Sequence, residues 1–366
     1  MPELAPLYPV NREHLETLSD ETGIVQHAIG HRPDPGHGYC TDDVARALII
    51  DLLHQRELGW QAVDASASRS LRFLVEAFDP TLGRFHNFRA IDGRWLDTVG
   101  SQDANARAIL ALGETIARAP NGRLLEAATL LFKRALPATS ALTDLRPRAA
   151  VLLACDAAVR GGLGGETLRT YRRVANDLRR TLEGRSLSPE WPWPEAVLTY
   201  ENALPARALI IGGARLGDAG LTRAGRRVLD WLIESETAPG GHLTPVGNHG
   251  WWLRDGARAQ FDQQPIETTT LLLAAAAAYE TTGEARYREV METAYAWFLG
   301  ANDVAARVAE PERGACHDSL TPSGVNENQG AESTLMWLIA LEEIRSLRGS
   351  ARRPPTAPPG VVVGAS

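Results

Sequence analysis

ARAILALGETIA (106–117), RAAVLLACDAAV (148–159), ARALIIGGARLG (206–217) and TTTLLLAAAAAY (268–279) decide the fold of this chain. Each is helix-length, apolar on nearly every side and rich in small residues, which is the composition of a buried helix packed closely among others. Between them run segments of another kind, such as SRSLRFLVEAF (68–78) and RAGRRVLDWLIESE (223–236), whose apolar residues recur at helical spacing on one face only. Such helices face water on one side. The two kinds alternate along the whole chain. First members are expected at 11–19, 64–78, 122–136, 166–182, 218–236 and 284–299, and second members at 42–54, 103–118, 145–160, 201–216, 264–282 and 329–347.

Six outer and six inner helices in alternation predict an all-α (α/α)6 toroid. An open solenoid would end in polar caps, but the last inner segment, NQGAESTLMWLIALEEI (328–344), is as apolar as the middle ones, so the ring is expected to close. Residues 1–349 read as one toroid domain, and 350–366, rich in Pro and small residues, as a disordered tail. No strand pattern stands out. Connections from inner to outer helices are short, whereas most of those from outer to inner are long, at 20–41, 79–102, 183–200, 237–263 and 300–328; only 137–144 is brief. Long loops are uncommon unless they carry function. The face where the inner helices begin is therefore the expected functional face.

Composition narrows the partners. The 366 residues carry 38 Lys plus Arg against 45 Asp plus Glu, a net charge of −7, with the basic residues scattered. That argues against nucleic acid as the main partner. The longest apolar run, LLLAAAAAY (271–279), falls short of the roughly 20 residues a membrane span needs, and the N-terminus lacks a secretory pattern. Three cysteines, Cys40, Cys155 and Cys316, form no disulfide framework, so a cytoplasmic, reducing setting is expected. His37, Cys40, Cys316 and His317 do not have a standard zinc spacing, and no nucleotide-binding loop or nucleophile elbow is present. Neither metal nor cofactor is expected.

The inner helices open on acids: Thr41-Asp42-Asp43, Ser101-Gln102-Asp103, Thr199-Tyr200-Glu201, Asp262 to Glu267, and Asn326 to Glu332. Any one of these fits ordinary capping and dipole compensation. In a closed ring, however, all five converge on one cavity mouth, together with the amides Gln102, Asn105, Asn202, Gln263, Gln264, Asn328 and Gln329. Carboxylates and amides at one level suit a ligand covered in hydroxyls. The loops add SPEWPWPE (188–195), with Trp191 and Trp193, and GNHGWW (247–252), with His249, Trp251 and Trp252, while Trp95 sits in DGRWLD. Trp231, Trp297 and Trp337 have the spacing of core residues. The loop tryptophans are expected to be partly exposed as platforms for a ligand.

HGYCTDDVARAL (37–48), GRFHNF (83–88), GSQDANARAI (100–109), LTYENALPARALI (198–210), FDQQPIET (261–268) and VNENQGAESTLMWLIAL (325–341) resemble a bacterial helical-barrel family found beside, or fused to, glycosyltransferase proteins. The wider (α/α)6 six-hairpin glycosidase-like class includes glycosidases, unsaturated-glycan hydrolases, polysaccharide lyases and sugar 2-epimerases. The resemblance implies a carbohydrate substrate and a link to a glycosyltransferase. It points by position to Asp43 and Asp103 as a catalytic pair. Glycoside hydrolysis needs two carboxyl groups flanking the bond, and Asp43 and Asp103 open neighbouring inner helices; Asp262 and Glu267 are the rival pair. Asp42, His37, Trp191, Trp193, Glu201, Asn202, His249, Trp251, Gln263, Gln264, Asn328, Gln329 and Glu332 are the expected substrate contacts. An epimerase would instead use loop histidines, and a lyase Tyr39 or Tyr200. A glycan-binding module without turnover is the remaining reading. The expected activity is hydrolysis of an oligosaccharide or glycoconjugate.

Overall fold

The computed structural model describes residues 4–184 and 187–350. Among these, twelve α-helices follow one another: α1 (Glu13–Thr17), α2 (Thr41–Leu58), α3 (Trp60–Ala77), α4 (Gln102–Arg118), α5 (Arg123–Ala135), α6 (Leu145–Arg160), α7 (Glu166–Leu182), α8 (Leu204–Leu216), α9 (Ala219–Ser235), α10 (Pro265–Thr282), α11 (Ala285–Phe298) and α12 (Ala331–Ser350). Each even-numbered helix packs against the next, and α12 packs back onto α2, closing an inner ring of six; the odd-numbered helices wrap it. This is an (α/α)6 toroid. The tail expected from 350 onward lies outside the described residues beyond position 350.

Small residues let the inner helices approach. Gly113 on α4 sits against the α6 backbone, where an added Cβ would lie 2.4 Å from the Ala154 carbonyl oxygen. The core runs round the ring, from Leu48 and Ile109 through Leu152 and Ile210 to Leu272 and Leu338, all buried. Inner helices connect outward through very short turns, Gly59 alone between α2 and α3 and 217–218 between α8 and α9, while the long loops 18–40, 78–101, 183–203, 236–264 and 299–330 gather at the inner-helix N-termini. Those loops hold short antiparallel pairings of two residues a side, too brief to leave an alternating pattern in the sequence, such as Tyr39–Cys40 with Phe88–Arg89 and Val197–Leu198 with Trp252–Leu253.

Two boundaries differ instructively from the sequence expectation. The first outer helix is only Glu13–Thr17. The fourth inner helix starts at Leu204, with Pro205 in its first turn, instead of at Glu201. Pro has no N–H to give to a helix interior and is tolerated only in the first turn, which a start at Glu201 would leave behind. Glu201 itself takes the left-handed conformation, φ 47°. No helix among the described residues is long and apolar enough to cross a membrane.

Candidate active site

The first turns of the inner helices meet in a network of carboxylates and guanidiniums. On α2, Asp42 and Asp43 sit where the helix dipole favours negative charge. Three residues on from Asp43, one helical turn away, Arg46 donates to Asp43 Oδ1 at 2.8 Å and reaches across to Glu332 Oε2 of α12 at 2.9 Å. On α4 the Ser101 hydroxyl caps the helix by accepting from the Ala104 N–H at 3.0 Å. One turn further, Arg107 grips Glu201 with two hydrogen bonds, one of 2.9 Å, and its Nε lies 3.5 Å from Asp42 Oδ1. The Tyr200 hydroxyl donates to Asp103 Oδ2 at 2.5 Å.

From α6, Arg146 donates to Glu195 at 2.9 Å, to Asn202 Oδ1 at 3.1 Å and to the Tyr200 carbonyl. Its guanidinium lies over the Tyr200 and Trp193 rings, 4.7 and 5.5 Å from their centroids. From α10, Glu267 accepts from the Glu201 N–H at 2.5 Å, the Asn202 N–H at 3.3 Å and the Asn202 side-chain amide at 3.0 Å. Five inner helices and the segment leading into α8 thus share one set of side chains.

Burial splits the set into two layers. Asp43, Arg46, Glu201 and Glu267 are buried. Asp42 and Asp103 are half-buried, and the Glu332 side chain is 42% exposed. The electrostatics follow. Burial pushes Asp43 up to about 7, helped by the neighbouring carboxylates Glu332 and Asp42 and opposed by Arg46. Burial likewise raises Glu267 to about 8, with Glu236 adding to it and the amides of residues 202 and 201 working against it. Glu201 is as deeply desolvated, but the Arg107 pair outweighs burial and holds it below the usual carboxylate range. Tyr200 is kept a neutral phenol by burial and by Asp103.

Several expected contacts sit elsewhere or do other work. Trp191 and Trp193, expected to be partly exposed, are 5% and 1% exposed. Trp191 packs edge-on against Trp231 and Trp252, and both indole N–H groups are used within their own loop, on Glu195 O and Val197 O. Through Trp191 this segment packs on Trp231 of α9. Trp231 is correspondingly half-buried in that cluster and stacked on Trp252 instead of lying in the core. Trp251 is 39% exposed.

Gln263 is fully buried and ties Thr244, Asp303 and Trp297 together, which is the work of a loop anchor. Asp262, in a left-handed conformation (φ 61°), accepts from Asn248 and has no bond to the network. Gln264 precedes α10 without capping it. Asn328 accepts from the Gly30 N–H at 3.0 Å, and Gln329 is buried beside His317. His37 stacks edge-on against His27, and His249 is exposed. The three cysteines are buried and unpaired, and among the described residues no group of three or more His, Cys, Asp or Glu is arranged to hold a metal ion.

Sequence reasoning missed the arginines. The signal was present: D-D-x-x-R at 42–46 and D-x-x-x-R at 103–107 place acid and guanidinium on one helix face.

No protein-family model matches the chain, and no curated protein matches it either. Its fold is that of several solved structures. It is similar to a cellobiose 2-epimerase from Spirochaeta thermophila, at 16% identity over 91% of this chain and 93% of that one, with a TM-score of 0.68. A D-mannose isomerase aligns at 12% identity over 92% and 96%, TM-score 0.70. A family 76 glycoside hydrolase (mannosidase) from Bacteroides thetaiotaomicron aligns at 9% identity over 92% and 95%, TM-score 0.61. At these identities the likeness is one of fold.

Proposed function

We propose that this chain is a carbohydrate-active enzyme working at the inner-helix N-terminal face, and that its reaction is hydrolysis of an oligosaccharide or glycoconjugate. The observation that carries the reading is the carboxylate set on neighbouring helices α2 and α4: Asp43 raised to about 7 and Asp103 oriented by Tyr200. Two carboxyl groups in different environments are what acid-assisted glycosidic cleavage requires, one as proton donor and one as base or nucleophile. In this scheme Asp43 is the acid and Asp103 its partner. Asp42 and Glu332, which reach solvent, accept hydrogen bonds from sugar hydroxyls.

The solved structures of like fold support the substrate class, since their names include a mannosidase, a cellobiose 2-epimerase and a D-mannose isomerase. Histidine-based epimerisation is the alternative; the loop histidines His86, His242 and His317 are held by Asp97, Asp303 and Glu310. Three unpaired thiols fit the reducing, cytoplasmic setting that belongs to this proposal.

Incubation with a panel of oligosaccharides, read by reducing-end assay and mass spectrometry, tests the proposal. New reducing ends are expected, and Asp103→Asn is expected to lower turnover by roughly 10²–10⁴-fold with the melting temperature retained. A new sugar of unchanged mass would make the protein an epimerase. Binding without any turnover would make it a glycan-binding partner of a glycosyltransferase.

A further inference from the structure

We infer that Glu267 is a positioning residue: from α10 it clamps one turn, residues 199–202, that sets the carboxylates of both α2 and α4. The inference rests on the proposed use of those carboxylates. Both Glu267 oxygens are committed, Oε1 to the Glu201 N–H and Oε2 to the Asn202 N–H and side-chain amide. The residue is 5% exposed. Among the described residues, every hydrogen bond its carboxyl group makes runs to this one turn.

The clamped turn is one that an L residue rarely adopts. Glu201 stands at φ 47°, a conformation that persists only where the surroundings hold it. There the successive N–H groups of 201 and 202 converge on one carboxyl group, and Glu267 supplies it. Asn202 closes the turn from within, accepting from the Thr199 N–H at 3.2 Å and donating to the Thr199 carbonyl at 3.2 Å.

Two side chains leave this turn toward the α2 and α4 carboxylates. Glu201 binds Arg107 bidentately, and Arg107 Nε lies 3.5 Å from Asp42 Oδ1, a buried atom with no hydrogen-bond partner among the described residues. Tyr200 donates to Asp103, while Arg146 packs on its ring and binds its carbonyl. A slip of the turn would therefore move Asp42 and Asp103 together. Misplacements of about 1 Å in a catalytic set can cost ~10²-fold in rate.

The test uses the full chain with Glu267→Gln, which turns one acceptor into a donor facing N–H groups, and Glu267→Asp, which keeps two acceptors on a shorter arm. The first readout needs no substrate: hydrogen exchange at the amides of residues 201 and 202. Exchange there is expected to quicken by at least ~10-fold in Glu267→Gln, and less in Glu267→Asp, with the rest of the chain unchanged. Unchanged exchange at these amides in both variants overturns the clamp, and if Glu267→Gln does not fold, Glu267→Asp decides alone.

The second readout is kinetic, on a glycan that the wild type turns over. Glu267→Gln and Arg107→Lys should each lower kcat by about 10–100-fold with KM little changed. The double variant should be no worse than the poorer single one, because the two residues act through one turn. Losses that multiply would overturn the inference. If no glycan is turned over by the wild type, hydrolysis fails as the function while the exchange measurement still decides the clamp.

Discussion

Arg107→Met isolates the energetics of the central pair. Arg107 is 9% exposed and Glu201 2%, and the methionine keeps most of the arginine stem while removing the charge. Glu201 is then a buried carboxylate without its bidentate partner, a change that typically costs about 3–5 kcal/mol. For a chain of 366 residues, an unfolding entropy of about 2.1 cal/mol/K per residue gives roughly 0.8 kcal/mol/K, so the melting temperature should fall by about 4–6 °C.

The sign of the pH dependence is also set. In the wild type Arg107 holds Glu201 low, so the stabilisation from this pair is fully present above the unfolded value of about 4.3 and is lost only as pH falls through the lowered folded one. In the variant the folded value lies above the unfolded one, and the penalty grows as pH rises from about 4.3. Thermal unfolding followed by circular dichroism at pH 5, 6.5 and 8 should show the gap between the two proteins widening with pH. Adding Glu201→Gln should recover more than half of the loss. A melting shift below about 1 °C, or a gap that does not change with pH, would refute the account of Arg107 as the partner of a buried charge.

Two further expectations follow from particular distances and shifts. Gly113→Ala ought to stabilise a helix interior by about 1 kcal/mol on propensity alone, yet the new Cβ would sit 2.4 Å from the Ala154 carbonyl oxygen; urea unfolding should show a net loss of about 1–3 kcal/mol, while Gly164→Ala, with open space around it, should show none. With Asp43 raised to about 7 and needed as the protonated acid, kcat/KM on a turned-over glycan should hold below that pH and fall about tenfold per unit above it; a flat profile between pH 6 and 8 would remove Asp43 from that role.

Helix existence, the alternation of outer and inner helices and the side of the ring that carries long loops were all legible in the sequence, because each is a local property. Apolar period, small-residue content and loop length do not depend on what the chain later meets. The acids at the inner-helix starts were legible for the same reason, and so, with more care, was Arg46, which lies one turn from Asp43 and binds it.

Tertiary structure alone decided how those groups are paired. Arg107 meets Glu201 across 94 positions, and Glu267 meets the Glu201 backbone across 66; no local period encodes such separations. The left-handed Glu201 shows the same limit. Helical periodicity ran α8 back to residue 201, whereas the structure begins it at Leu204 and spends the preceding turn on contacts with α4, α6 and α10. Trp191 and Trp193 read as ligand platforms because a proline-rich loop carries them, but burial depends on what stands opposite, here Trp231, Trp252 and Arg146. Local periodicity determined which faces are apolar and where charge sits along each helix. Closure of the ring determined which of those charges share one low-dielectric site.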